Sequence, residues 1–305
     1  MPVCTTCTNF IPYLYTVYGS AYNLRLEQCP KCHSFADPYV EHDSLTLLLD
    51  LMLLKRGVYR HLLYNRGTEP RKLLGKVQPN TLGGTSRGRW LLVLRLGAAL
   101  IVLDAYLHQP ADLSPWTKEA LDLVLRVLLG CFAETIAFHC GIIVACYIML
   151  MFVERVRAFL NDDAPTSDIR REFRFSLIPL SLFYSSLTKL FFLFLLTIWR
   201  PSSESIAPAT SFNLSNTKFF SNTYLLDGFE MLDDDKLDRE WAIRNVLGGM
   251  SAGFGLRVIL DIHPLFTSLI ILAGWKAKTI VAELVSRWVG GDELTGEAWR
   301  AYSIP

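Results

Sequence analysis

The residues able to do chemistry stand at the head of the chain. Cys4-x-x-Cys7 and Cys29-x-x-Cys32 are two matched pairs, the second inside Cys29-Pro30-Lys31-Cys32-His33. Each pair forms a short knuckle whose thiolates point at one centre, and two knuckles supply the four ligands of tetrahedral zinc. The 21 residues between the pairs slightly exceed the spacing of about fifteen to twenty usual for such sites. Two other chemistries use cysteine pairs. A redox dithiol sits at a strand-to-helix junction of a thioredoxin-like pattern, which neither pair matches. Disulfides require an oxidising compartment. Zinc is the favoured reading, and four cysteine ligands leave no open position for water, so the site is expected to be structural rather than hydrolytic. His33 could stand in as a ligand, though a place outside the ligand set is the stronger expectation.

The other three cysteines, Cys131, Cys140 and Cys146, fall in an apolar stretch and read as small packing residues. Ionisable groups inside apolar segments are the remaining candidates: Glu134, His139 and Lys189. Such groups are expensive at membrane depth and face a partner or a cavity, which makes a Glu134–Lys189 contact between spans the natural expectation. Alternatively, Glu134 pairs only to specify helix packing. The sequence shows no nucleophile–base pair, phosphate loop or open metal triad, so the chain is read as a non-enzyme.

The elements that must position the cysteines come next. Tyr13, Tyr15, Tyr18 and Tyr22 lie between the pairs, and Asn23-Leu24-Arg25-Leu26 alternates as a strand does. This predicts a small β-rich zinc ribbon whose core is too thin to fold without metal. Ser44–Leu54 is a leucine-rich run of about eleven residues, too short to cross a hydrocarbon layer of about 30 Å. It is read as a helix lying on the membrane or packing on the ribbon. Leu47, Leu48, Leu51, Lys55, Arg56 and Arg60 are therefore candidate lipid contacts, because bases beside an apolar helix attract anionic headgroups by about 1 kcal/mol each. The alternative is a solvated basic face on a small globular unit.

Composition sets the wider frame. With 51% hydrophobic and 19% charged residues, the 305-residue chain sits on the membrane side of the soluble range, and disorder is excluded. The net charge of +1 gives no bulk attraction to nucleic acid. Met1–Cys7 lacks the basic and apolar regions of a secretory leader, so the N-terminus is expected to be retained. Residues 67–89, with Pro70, Pro79, Gly83 and Gly84, read as a basic linker.

The polytopic α-helical membrane domain is expected over residues 90–275, with about four spans. These are Trp90–Leu107, Leu121–Val153, Phe175–Trp199 and a last one within Gly253–Trp275. The second is long enough for an overlong helix or a re-entrant pair, and loop charges favour one crossing. Asp261 and His263-Pro264 interrupt the last, which reads as a broken helix or two half-spans. Bases gather in residues 1–89 and again at Arg155, Arg157, Arg170, Arg171 and Arg174, which places both regions on the cytosolic side. Residues 200–252 then form a luminal loop, where Asn213-Leu214-Ser215 is a candidate glycosylation acceptor. Residues 276–305 are expected to be a cytosolic amphipathic tail, with Ile280, Val281, Leu284, Val285, Trp288 and Val289 on one face.

The paired cysteines, followed by Ala36-Asp37-Pro38-Tyr39-Val40-Glu41-His42-Asp43, Leu49-Asp50-Leu51 and Tyr59-Arg60-His61-Leu62-Leu63-Tyr64-Asn65, resemble the homology domain of the ARV (ACAT-related protein required for viability) family. The resemblance covers roughly residues 1–66. It implies a multi-pass endoplasmic reticulum protein, with the Golgi as a second site, linked to sterol and sphingolipid homeostasis and to early glycosylphosphatidylinositol (GPI) anchor synthesis. It implies structural zinc on Cys4, Cys7, Cys29 and Cys32. Its partners would be membrane lipids, including sterols or GPI precursors, and a membrane lipid enzyme. Two roles compete: a lipid transporter, and a non-catalytic scaffold or regulatory subunit of a GPI-anchor enzyme. A zinc-ribbon ubiquitin ligase is disfavoured, because a RING needs eight ligands for two metals. Thr8 stands where such knuckles usually carry Gly to turn left-handed, which leaves the turn geometry open.

Overall fold

The computed structural model describes residues 2–18, 23–72, 86–107, 118–159, 168–171, 173–198 and 243–290. The middle of the expected linker, most of the expected luminal loop with Asn213, and residues 291–305 of the expected tail lie outside the described residues.

At the head of the chain, β1 (Tyr15–Val17) pairs antiparallel with β2 (Leu24–Leu26), in the register Tyr15 to Leu26. β3 (Arg71–Lys72) adds in parallel to the other edge of β1, giving the order β2-β1-β3. The buried residues beneath are Cys4, Ile11, Leu14, Cys29 and Ala36. Two of the five are proposed ligands, so little apolar surface exists to hold this unit without a metal.

The first helix, α1 (Ser44–Met52), starts where the Asp43 carboxylate accepts the Thr46 N–H, satisfying one of the orphan donors of a helix end. It stops at Leu54, which is left-handed at φ 55°. α2 (Arg56–Arg60) then runs directly into a π-helical turn, His61–Asn65. Val58, Tyr59 and Leu63 on this second segment share one core with Leu51 of α1 and with Val93, Leu177, Leu180, Phe183, Val258 and Ile259 of the membrane region. The ribbon's helices are thus packed on the bundle.

The bundle contains α3 (Ser86–Leu107), α4 (Lys118–Phe159), the short α5 (Asp168–Arg171) and α6 (Leu177–Ile198). A second π-helical turn, Ile243–Leu247, leads into α7 (Gly248–Leu260), and α8 (Pro264–Gly290) follows. Among the described residues three helices are long and apolar enough to cross a membrane: Val124–Phe159, Leu177–Leu196 and Pro264–Ser286. α3 covers the stretch expected as the first span but is not one of these three. α4 is a single helix of 42 residues, so the long apolar run is not a re-entrant pair. α6 is the central helix, with 61% of its spanning window buried against 11% for that of α4.

The last part of the bundle differs from the four-span expectation. Asp261, at φ 48° and ψ 44°, ends α7, and Pro264, which cannot donate to a preceding turn, opens α8. α8 then continues through Trp275 without a break to Gly290. The last span is therefore Pro264–Ser286, and the residues from 276 onward extend it instead of starting a separate helix. α8 packs antiparallel to α4, because Gly274 meets Ile142, Lys278 meets Glu134, and Val285 meets Val127 and Cys131. A Cβ on Gly274 would lie 2.5 Å from Ile142 Cγ1, so only glycine permits this approach. α7 is antiparallel to α6, with Gly255 against Ser181 and Gly248 against Lys189. α7 thus runs toward the ribbon and α8 away from it. The far end of α8 therefore packs beside the start of α4, at the end of the bundle away from the ribbon.

Candidate metal centre

Cys4, Cys7, Cys29 and Cys32 bring their four Sγ atoms within 4.8 Å of one another. Cys4 Sγ lies 3.7 Å from Cys32 Sγ, and Cys7 Sγ lies 3.5 Å from Cys29 Sγ. A tetrahedral zinc with Zn–S bonds of about 2.3 Å separates its sulfurs by about 3.8 Å. The four residues fit such an ion as they stand.

Two equivalent knuckles create this arrangement. The Cys4 N–H donates to Asn9 O at 2.9 Å and the Thr8 N–H to Cys4 O at 3.0 Å. In the second knuckle the Cys29 N–H donates to Ser34 O at 2.8 Å and the His33 N–H to Cys29 O at 2.9 Å. Val3 bridges Phe10 in the first, and Gln28 bridges Phe35 in the second. Thr8 and His33 occupy the same place and are both left-handed, at φ 67° and 58°. The turn expected of glycine is therefore made by a β-branched residue, which costs about 1–2 kcal/mol in that region. His33 is exposed and stands outside the cysteine group.

One prediction arises here. Thr8→Gly removes the left-handed strain but adds unfolded-state entropy of roughly 0.5–1 kcal/mol. Because folding and metal binding are one event in such ribbons, zinc affinity should rise by up to about fivefold, corresponding to about 1 kcal/mol. Competition against a chromophoric chelator measures it, and weaker binding would show that the Thr8 side chain supports the turn.

The thiols are held unequally. Burial pushes Cys7 up to about 12 and raises Cys4, whereas the backbone N–H of Ser34 is the main cause that pulls Cys32 down to about 6. Four thiolates at this separation need a cation to offset burial and mutual repulsion, and a divalent ion supplies that compensation.

Behind the knuckles sits a buried polar clasp that sequence reasoning missed. Asp37, fully buried, accepts from His61 Nδ1 at 2.7 Å and from Asn65 Nδ2 at 2.7 Å on the same carboxylate oxygen. Its other oxygen accepts the Tyr39 N–H at 3.1 Å. Asn65 also binds both backbone groups of Val3, accepting its N–H and donating to its carbonyl at 2.8 Å each. The π-helical turn at His61–Asn65 carries both partner side chains. The available signal was His61 and Asn65 four apart within an apolar run, on one helix face.

The candidate lipid contacts separate into two groups. Leu51 is buried in the shared core, and Leu47 packs at its edge. Arg60 donates from Nη1 to Thr5 O at 2.7 Å and Thr6 O at 2.8 Å, clamping the first knuckle to α2. Leu48, Lys55 and Arg56 are exposed, with Lys55 paired to Asp50 at 2.7 Å. Glu134 lies 3.8 Å from Lys278 Nζ, a partner on α8 that the sequence reading did not name.

Comparison with known proteins addresses the family. The chain is similar to Protein ARV1 of Saccharomyces cerevisiae, 46% identical over 63 residues, which cover 21% of this chain and 19% of that protein. It is similar to Protein arv1 of Schizosaccharomyces pombe, 46% identical over 63 residues, covering 20% and 24%. Protein ARV 1 of Arabidopsis thaliana is 29% identical over 200 residues, covering 64% of this chain and 67% of that protein. The match thus spans only about a fifth to a quarter of the yeast relatives' length. No solved structure matches. The family model described as Arv1-like matches residues 3–219, which takes in the cysteine knuckles, the clasp and the helices through α6, and the chain accordingly belongs to the Arv1-like family.

Proposed function

We infer that this chain is a multi-pass endoplasmic reticulum protein that mediates intracellular lipid transport and homeostasis, with sterols, sphingolipids and GPI-anchor precursors as its ligand classes. Zinc is the ion at the four cysteines, where it serves as a structural anchor without a catalytic role. The ribbon faces the cytosol, in keeping with the bases gathered in residues 1–89 and 154–174.

The observation that carries this reading is the core shared by the ribbon and the spans. The metal sets the knuckles, the Asp37 clasp and Arg60 tie the knuckles to α2, and α2 packs on α6 and α7. Tyr59 meets the Phe254 ring edge-on at 5.6 Å, and the Thr188 hydroxyl donates to Met52 O at 3.2 Å. α1 is thereby held alongside α6, with Leu45, Leu48, Leu49 and Leu53 exposed. A leucine edge exposed beside a spanning helix suits contact with acyl chains or an apolar ligand.

Purified full-length protein reconstituted into donor vesicles should accelerate transfer of a fluorescent sterol to acceptor vesicles, and replacing Leu48 and Leu53 with Ser should slow it. A chain that moves no lipid, but co-purifies with a GPI-anchor enzyme and changes its turnover, would make the scaffold role the correct one.

A further inference from the structure

Between α3, α4, α6, the second π-helical turn and α8 lies a cavity of about 140 Å³. That is on the order of ten times the space one water needs. Its walls carry Asp104, Glu134, Lys189, Arg244 and Lys278, a density of charge that is expensive among spanning helices and marks a functional site.

Among the described residues the charges are not balanced. Arg244 Nη1 pairs with Asp104 at 3.3 Å, and Lys278 Nζ lies 3.8 Å from Glu134. Lys189 is the third cation, and among the described residues it forms no ion pair. The side chains of Arg244 and Glu134 are 7% and 8% exposed, whereas those of Asp104 and Lys278 are 29% and 27% exposed. Arg244 and Glu134 are thus the more deeply buried member of each pair. Among the described lining residues two carboxylates stand against three bases, and half-buried Lys189 is the cation that an incoming anion would meet.

Three further features show that the cavity is built. Arg244 and Asn245 project from a π-helical turn, a departure from regular helix that accompanies functional sites. Gly248 and Gly249 follow, and a Cβ on Gly249 would lie 2.6 Å from Trp275 Cζ2, so glycine brings this backbone against the wall. His139, also in the lining, donates from Nδ1 to Thr135 O at 2.7 Å, leaving Nε2 buried and without a partner among the described residues. That nitrogen is then an acceptor awaiting a hydroxyl.

We propose that this cavity binds the phosphate of an anionic phospholipid headgroup, with Lys189 as the principal cation, Arg244 and Lys278 as supporting donors, and His139 Nε2 accepting from a headgroup hydroxyl. The proposal rests on the lipid-handling reading and deepens it by naming the headgroup chemistry. A guanidinium and two ammonium groups match phosphate oxygens, and the apolar lining from Leu100, Phe138 and Leu182 suits the adjoining glycerol and acyl carbons.

The test uses full-length protein in mild detergent, with retained lipid read by native mass spectrometry. Phosphatidylglycerol should be retained at least tenfold more strongly than phosphatidylcholine, which has the phosphate but no net charge. Lys189→Gln should lose that preference and Lys189→Arg should keep it. Equal retention of the two lipids by the wild type overturns the proposal, and this comparison stands whether or not a variant folds. So does an unchanged preference in a folded Lys189→Gln protein. Inorganic phosphate should not displace the lipid at millimolar concentration; displacement would assign the site to the free anion and overturn the lipid source. Sterol transfer, measured on the same wild-type preparation, reads the transport proposal separately. Transfer without headgroup preference overturns the cavity assignment alone, and preference without transfer overturns the transport role alone.

Discussion

Replacing Cys29 and Cys32 together with Ser will reduce bound zinc from one per chain to none and unfold the ribbon. The reason is the make-up of its core. Cys4 and Cys29 are two of the five buried members of the apolar cluster beneath the sheet, and structural zinc supplies on the order of 10–16 kcal/mol of apparent folding free energy in units of this kind. No hydrophobic core of that size can replace it. The damage should spread, because Leu51, Val58, Tyr59 and Leu63 cover Leu177, Leu180 and Ile259, and losing the ribbon uncovers that apolar face of α6 and α7. Elemental analysis of the purified variant reads the first effect, and proteolysis in residues 2–66 together with loss of monodispersity reads the second. Zinc retained at one per chain would remove the cysteine site from consideration.

Asp37→Ala should be nearly as damaging to the ribbon's attachment, yet leave the metal bound. The carboxylate takes two side-chain donors and one backbone donor inside the protein. Removing it leaves His61 and Asn65 with buried, unsatisfied groups, and breaking a buried polar pair from one side costs about 3–5 kcal/mol. The four cysteines sit in two locally closed knuckles, so zinc should stay near one per chain while the helix behind it loosens. Hydrogen exchange separates the two. Amides of residues 61–65, and Val3, whose N–H is held by Asn65, should lose protection, whereas those in the middle of α4 should not. Unchanged protection at residues 61–65 would refute the clasp.

What could be read from the sequence was what is local. Cys-x-x-Cys is a four-residue signal, and its geometry follows from the knuckle alone, so the coming together of the four cysteines was legible. Hydropathy likewise located helices of span length on α4 and α6. The clasp was hidden because its members are 24 and 28 residues apart and each is an ordinary polar residue by itself. The path of the last helices was hidden for a similar reason. Asp261 and Pro264 mark a break, but only the close seat of Gly274 on Ile142 and of Gly255 on Ser181 sets which way α7 and α8 run. Glu134 was recognised as needing a partner, and the register of α4 on α8 decides that Lys278 faces it.

The shared core also imposes an order of events during synthesis. Tyr59 and Leu63 leave the ribosome long before Val258 and Ile259, which cover them. At about 5–20 residues per second the wait is roughly 10–40 s. A nascent chain therefore spends that interval with the ribbon's apolar face lacking its α7 partners. During that time a chaperone or the bilayer surface must shelter Tyr59 and Leu63, and arrest of translation before α7 would leave a stable but adhesive fragment.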